Sequence, residues 1–183
     1  NNLREDVRFR EEQLELTKYI DGLLLPSSRF RLHVLERYIT IINSTLTSIL
    51  PMMAANLSLR LDVDKKGNGI DLYIQQNYVD TTYKSLSGGE RRRLDVALIL
   101  SFQRFLLEVS GTVFNLLAFD EIFDSLDAKG VENTLNVIEI LFPDVDSFYV
   151  ITHNNAVKSL FTSVIKVVKT DGISTIEGEV NAT

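Results

Sequence analysis

No cysteine occurs among the 183 residues, so neither a disulfide framework nor a thiolate metal site can be built. That fits a reducing compartment. Proline is scarce, three residues in all, and no Pro-rich or low-complexity tract marks disorder. Long apolar runs are missing as well. The longest, around Val113 to Phe119, is far too short to cross a bilayer, so no membrane role is expected. The start, Asn1-Asn2-Leu3-Arg4-Glu5-Asp6, has neither the basic start nor the apolar stretch of a signal peptide. It also lacks an initiator Met, and a piece of a longer protein is expected. Basic residues are outnumbered, leaving a net charge of −6. A general nucleic-acid coat would be strongly basic, although a local patch or a partner chain could still meet DNA.

What is present is a chain of domain length, 45% apolar, enough for a sizeable core. Residues 3 to 20 carry apolar residues at Leu3, Val7, Leu14, Tyr19 and Ile20 among many charges. The spacing is helical, but Arg10 and Thr17 spoil the core positions of a heptad. The stretch reads as the end of a long helix or as a solvated surface helix. Pro26-Ser27-Ser28 breaks the chain, and a second helix is predicted from about Arg29 to Leu50, closed by Pro51. Leu57, Leu59 and Leu61 then alternate with polar residues, a turn follows at Lys65 to Gly69, and Ile70, Leu72 and Ile74 alternate on the return, a hairpin pattern. A polar loop is expected from Gln75 to Lys84. Beyond it the pattern predicts a helix from Gly88 to about Val109 and a strand over Val113–Phe119. A helix over about Ala128–Leu141, a strand over Phe148–Ile151, a short helix over about Asn155–Leu160 and paired strands at Ser163–Val168 and about Ile173–Glu177 follow. Buried strands alternating with helices indicate an α/β fold with a parallel sheet and flanking helices.

Four stretches carry chemistry. In Leu86-Ser87-Gly88-Gly89-Glu90-Arg91, Ser87 and Glu90 form the pattern of a helix capping box. Two glycines in the first helical positions are odd there, because glycine costs about 1 kcal/mol against alanine in a helix. Bare amides, a hydroxyl and the positive helix end together suit a phosphate, and the same residues also read as an ordinary N-cap. Val113 to Phe119 ends in Asp120-Glu121. At the C-terminal edge of a parallel sheet, where ligands bind, Asp120 could hold Mg²⁺, usually through water. Glu121 could polarise a water for attack on a phosphate, an aid of about 10²- to 10⁴-fold. The alternative is a core strand followed by solvated acids. The third stretch is Phe123-Asp124-Ser125-Leu126-Asp127, and the fourth is Ile151-Thr152-His153, whose histidine could bond a terminal phosphate or lie idle on the surface. His33, mid-helix, is given no role.

In this order and at these positions the four stretches resemble the ABC ATPase family: signature loop, Walker B, D-loop and H-loop. The phosphate loop of that family, G-x-x-x-x-G-K-[ST], has no counterpart, since no Gly-Lys pair occurs. The upstream helices instead resemble the SMC-like families, in which a coiled coil splits the head into two lobes. Asp120-Glu121-Ile122-Phe123-Asp124-Ser125-Leu126-Asp127 and Glu90 depart from the transporter wording, Asp-Glu-Pro-Thr with a Gln ending the signature. They are similar to the nuclease-linked SbcC branch, and Arg91-Arg92-Arg93-Leu94-Asp95 is similar to phage-encoded members, recombination endonuclease subunits of the T-even type.

The resemblance implies a C-terminal lobe of an ABC ATPase head over residues 51–183, preceded by a coiled-coil base over residues 1–50. It implies a nuclease-associated ATPase of DNA double-strand-break repair and recombination, in the cytoplasm at DNA. Two heads would sandwich two ATP molecules as a homodimer. Ser87, Gly88, Gly89 and Glu90 would bind the ATP of the opposite head and Asp127 would cross the interface. Asp120 would hold Mg²⁺, with Glu121 and His153 catalytic, on the chain's own side. The implied partners are the N-terminal Walker A lobe of the same protein, a metallophosphoesterase nuclease and double-stranded DNA. Alternatives are a chromosome-organising SMC ATPase, a transporter ATPase, and a structural module that does not hydrolyse ATP and has no need of Glu121 and His153 together.

Overall fold

Helix α1 (Asn2–Leu24) is exposed along its described side chains, residues 7 to 22, whereas α2 (Arg29–Met53) roots itself in the core. Ile39, Ile42, Leu46, Ile49, Leu50 and Met53 fall three or four residues apart and are at most 4% exposed, the stripe that a helix turns toward a core. The computed structural model describes residues 2–24, 29–64, 69–112 and 114–181. The expected break at Pro26-Ser27-Ser28, most of the turn at Lys65 to Gly69, and Val113 lie outside the described residues.

Pro51 does not close α2, which runs on to Met53. A proline removes only its own N–H, and the next donors still find the helix, with Ala54 N bonded to Leu50 O at 2.8 Å. Strand β1 (Leu57–Val63) lies against α2 with Leu57, Leu59 and Leu61 buried. Asn43 ties the two together, donating to Leu61 O at 2.8 Å and accepting from Leu61 N at 2.9 Å. Its side chain thereby satisfies edge groups of the strand that the sheet leaves unpaired.

Strand β2 (Ile70–Gln76) pairs antiparallel with β1, and a third strand, β3 (Val79–Thr81), pairs with β2. The polar loop expected from Gln75 is therefore part strand. Asn77 and Tyr78 both take positive φ, 51° and 66°, the geometry of a two-residue hairpin turn that usually shows itself by glycine. Here tyrosine occupies the glycine's place. A 3₁₀ turn (Tyr83–Ser85) leads into α3 (Gly88–Ser110), which Gly111 ends in the left-handed conformation at φ 62°, its N–H on Leu107 O.

The parallel pair is β4 (Leu116–Asp120) and β5 (Ser147–Ile151), joined through α4 (Ala128–Leu141). Helix α5 (Asn155–Lys158) and the antiparallel β6 (Ser163–Thr170) and β7 (Ile173–Asn181) complete the chain. The fold is thus α/β with one parallel pair and two antiparallel sheets. One face of the parallel pair meets the core through Phe119 and Phe148, whose rings lie 5.3 Å apart. The other face is open among the described residues. Leu116, Tyr149 and Ile151 on it are 50–59% exposed, although parallel sheets are normally covered on both sides. Among the described residues, no helix is long and apolar enough to cross a membrane.

Candidate functional site

Ser87 caps α3 with both halves of the capping box formed. The Glu90 carboxylate is the hub. Its Oε2 accepts from Ser87 N at 3.0 Å and Ser87 Oγ at 2.8 Å, and its Oε1 accepts from Asn56 Nδ2 at 2.8 Å and Gln76 Nε2 at 2.6 Å. A carboxylate only accepts, so both amides must donate. These bonds, led by the Ser87 hydroxyl and then Asn56, hold the Glu90 carboxyl down to about 2. Glu90 therefore faces the β1–β2 sheet and fixes the loop in place. Gly88 and Gly89 stand differently. Neither takes a positive φ, and a Cβ built on either meets nothing within 4 Å.

The acidic end of β4 is set by the parallel ladder. Asp120 lies opposite Ile151, and Glu121 N continues the pairing to Ile151 O at 2.9 Å. That register carries His153 alongside, with Nδ1 3.5 Å from Glu121 Oε1 and Nε2 3.9 Å from Asp124 Oδ2. Glu121 at φ 52° and Ser125 at φ 63° both lie in the left-handed region, a cost of about 1–3 kcal/mol each that the surroundings must maintain. Ile122, Phe123 and Leu126 do so from below, at most 9% exposed. They bury the apolar side of the loop; the Glu121 and Asp127 side chains face outward, whereas Asp124 Oδ1 is buried without a hydrogen-bond partner among the described residues.

From above, two consecutive arginines of α3 reach the same loop. Arg92 Nη2 donates to Glu121 O, and Arg93 Nη2 donates to Asp127 Oδ1, each at 2.5 Å. Asp127 also caps α4, the same Oδ1 accepting from Gly130 N at 2.9 Å. Arg93 first, and the Gly130 amide second, lower the pKa of the Asp127 carboxyl. The rest of the Asp127 side chain stays open, 62% exposed.

The expected residues thus fall into two sets. Asp120, Glu121 and His153 gather at the C-terminal edge of the parallel pair, while Ser87, Gly88 and Gly89 crown the start of α3. Asn56, Gln76, Arg92 and Arg93 were not anticipated as site residues, although the arginines directly follow the signature; Asp124 was given no role of its own but lies in the third of the four stretches. Glu121, Asp124 and His153 each offer an atom within 4.8 Å of the others. Asp120, exposed at the end of β4, is not part of that group, whose two carboxylates and imidazole are of a kind that can meet a hard cation accompanied by phosphate. A cavity of about 350 Å³ lies elsewhere, lined by Leu117, Ile138, Phe142 and Phe161 among others, and includes none of these residues.

A family model described as SbcC/RAD50-like, Walker B motif, matches residues 57–139. The chain is similar to Exonuclease subunit 2 of Enterobacteria phage T4, 30% identical over 129 residues. That alignment takes in 68% of this chain and 22% of the relative, so the chain spans about a quarter of the relative's length. Among solved structures, the Smc head domain with an extended coiled coil bound to the C-terminal domain of ScpA, derived from Pyrococcus furiosus, aligns at TM-score 0.70. Its identity is 18%, covering 97% of this chain and 43% of that one. A structure from work on ATP-driven dimerization and DNA-stimulated activation of SMC ATPases aligns at 0.67 and 21% identity, covering 82% and 90%.

Proposed function

The chain is an SMC/SbcC-like ATPase head segment, and on that premise we propose that it is the C-terminal lobe of that head. The parent protein would be the ATP-hydrolysing subunit of a nuclease complex for DNA double-strand-break repair and recombination. The name of the phage relative, Exonuclease subunit 2, supports the nuclease association over a chromosome-organising role. The open apolar face of Leu116, Tyr149 and Ile151 supports a covering lobe, the N-terminal one carrying the phosphate loop that residues 1–183 lack.

One observation carries the composite site. Gly88 and Gly89 are required neither by backbone conformation nor by space in this chain. Glycine where alanine would fit is explained by close approach from outside. In the proposed homodimer that approach is the γ-phosphate of ATP held by the opposite head, met by the amides and by Ser87. Glu90 serves this half-site by holding Ser87, and Asp127 turns its open side toward the partner head.

On the chain's own side, Asp120 would hold Mg²⁺, which when bound neutralises phosphate charge. Glu121 would orient the attacking water and His153 would donate to the γ-phosphate. Such catalysis rests on positioning and charge, so sites divided between subunits hydrolyse only on closure. Residues 1–50 would form the coiled-coil base, with α2 rooted in the lobe of residues 51–183, and would dock a metallophosphoesterase nuclease. Double-stranded DNA would lie across the closed heads, in the cytoplasm.

The test is Ser87→Arg in the full-length protein. As a cap alone, Ser87 is worth about 1 kcal/mol, and activity below the melting point would persist. On the proposed reading the variant folds and binds ATP on its own phosphate loop, but ATP-driven dimerisation and hydrolysis are lost. An active, dimerising Ser87→Arg protein would overturn the assignment.

A further inference from the structure

Arg92 and Arg93 take hold of the same short loop at its two ends. Arg92 grips the carbonyl of Glu121, where the loop begins, and Arg93 grips the carboxylate of Asp127, where it ends. Between them lie both positive-φ residues, Glu121 and Ser125. Strained backbone persists only where its surroundings over-determine it, and here the restraint comes from a helix whose first residues are the other half-site.

Gly130 completes the arrangement. A Cβ there would lie 2.7 Å from Asp127 Oδ1 and 3.3 Å from Arg93 Nε. The first turn of α4 thus has space for the ion pair only because residue 130 has no side chain.

We propose that Arg92 and Arg93 form a clamp through which the signature helix sets the position of the Glu121–Asp127 loop in its own chain, making Arg93 a positioning residue for hydrolysis. The inference rests on the role given above to Glu121. Its physical content is mechanical. Any displacement of α3 when another head closes on Ser87, Gly88 and Gly89 reaches the Glu121 backbone through the Arg92 hydrogen bond and the far end of the loop through the Arg93–Asp127 pair. Signature engagement on one surface thereby adjusts the water-orienting carboxylate on another.

The experiment uses the full-length protein and three variants, Arg93→Ala, Arg93→Lys and Gly130→Ala. Steady-state ATP hydrolysis, thermal unfolding and hydrogen exchange of peptides spanning residues 121–130 are measured on each. Displacement of a catalytic group by about 1 Å can cost about 100-fold. Arg93→Ala is therefore expected to lower kcat about 10- to 100-fold, with KM for ATP and the melting temperature little changed. Exchange should accelerate in the 121–130 peptides and nowhere else. Arg93→Lys, which keeps a donor and the charge, should recover part of kcat. Gly130→Ala, which removes neither charge nor donor, should reproduce the loss. Unchanged kcat and unchanged exchange in Arg93→Ala would overturn the clamp, as would a loss that follows the melting temperature or KM. If the wild-type protein hydrolyses no ATP, the functional reading fails, and the clamp stands or falls on the exchange of residues 121–130 alone.

Discussion

Glu90 shows how the sequence can reveal one neighbour of a residue and leave the others hidden. The spacing from Ser87 revealed the capping box, but Asn56 and Gln76, 34 and 14 positions away, had no local signal. Their donation is what makes Glu90 an anchor between signature and sheet. The linkage has a definite sign. The folded carboxyl sits at about 2 against 4.5, so its stabilisation is complete above about pH 4.5 and is lost as pH falls toward 2. Glu90→Gln places a donor where only acceptors fit and should destabilise the chain at pH 7 by about 1–3 kcal/mol. Denaturant melts at pH 7 and pH 3 should show a smaller difference for the variant than for wild type, whereas equal pH dependence would remove Glu90 from the linkage. For Glu121 the outcome concerns turnover. Glu121→Gln in the full-length protein should slow hydrolysis by about 10²-fold or more while preserving ATP binding, so that ATP-dependent head dimers accumulate on size-exclusion chromatography. Unchanged hydrolysis would reduce the carboxylate to a solvated strand end.

At the scale of elements, what could be read from the sequence was what local periodicity dictates. The α2 stripe, the β1 alternation and the apolar strands before Asp120 and His153 follow from burial on one face, and each lies close to its predicted place. β3 did not, because its turn uses Asn77 and Tyr78 rather than an Asn-Gly pair. The extension of α2 past Pro51 depends on the donors after the proline, which the residue itself does not reveal. Ile70 and Leu72, which alternate with polar residues on the return strand, are nevertheless 41% and 52% exposed, since α2 covers β1 and not the outer end of β2. The grouping of His153 with Glu121 came from the family resemblance and from no local pattern, because it arises from the parallel register that sets Asp120 opposite Ile151. Two elements invite tests. Phe123, fully buried under the acidic loop, should cost about 3–5 kcal/mol as Phe123→Ala, read by denaturant melts. Ile151→Lys, on the open sheet face, should change the stability of this segment by no more than about 0.5 kcal/mol yet markedly destabilise the full head. Equal effects in both would mean that no lobe covers that face.

For the whole molecule, the composition and motifs already excluded a disulfide scaffold and resembled a divided ATPase head. The structure places Ser87, Gly88 and Gly89 at the start of α3 and Asp120, Glu121 and His153 at the ends of β4 and β5; on the proposed reading these are halves of two different ATP sites. Residues 1–183 should therefore show no robust ATP hydrolysis by themselves and acquire it only with the phosphate-loop lobe. The most direct measurement of the central claim, that signature and Walker B serve different ATP molecules, uses purified heterodimers. One head is wild type, and the other carries Ser87→Arg together with a disabled phosphate loop. If Ser87, Gly88 and Gly89 act across the dimer, each composite site contains one defect, and the heterodimer should be inactive. If they serve their own head, the wild-type subunit keeps a complete site, and activity near half of the wild-type dimer would contradict the account.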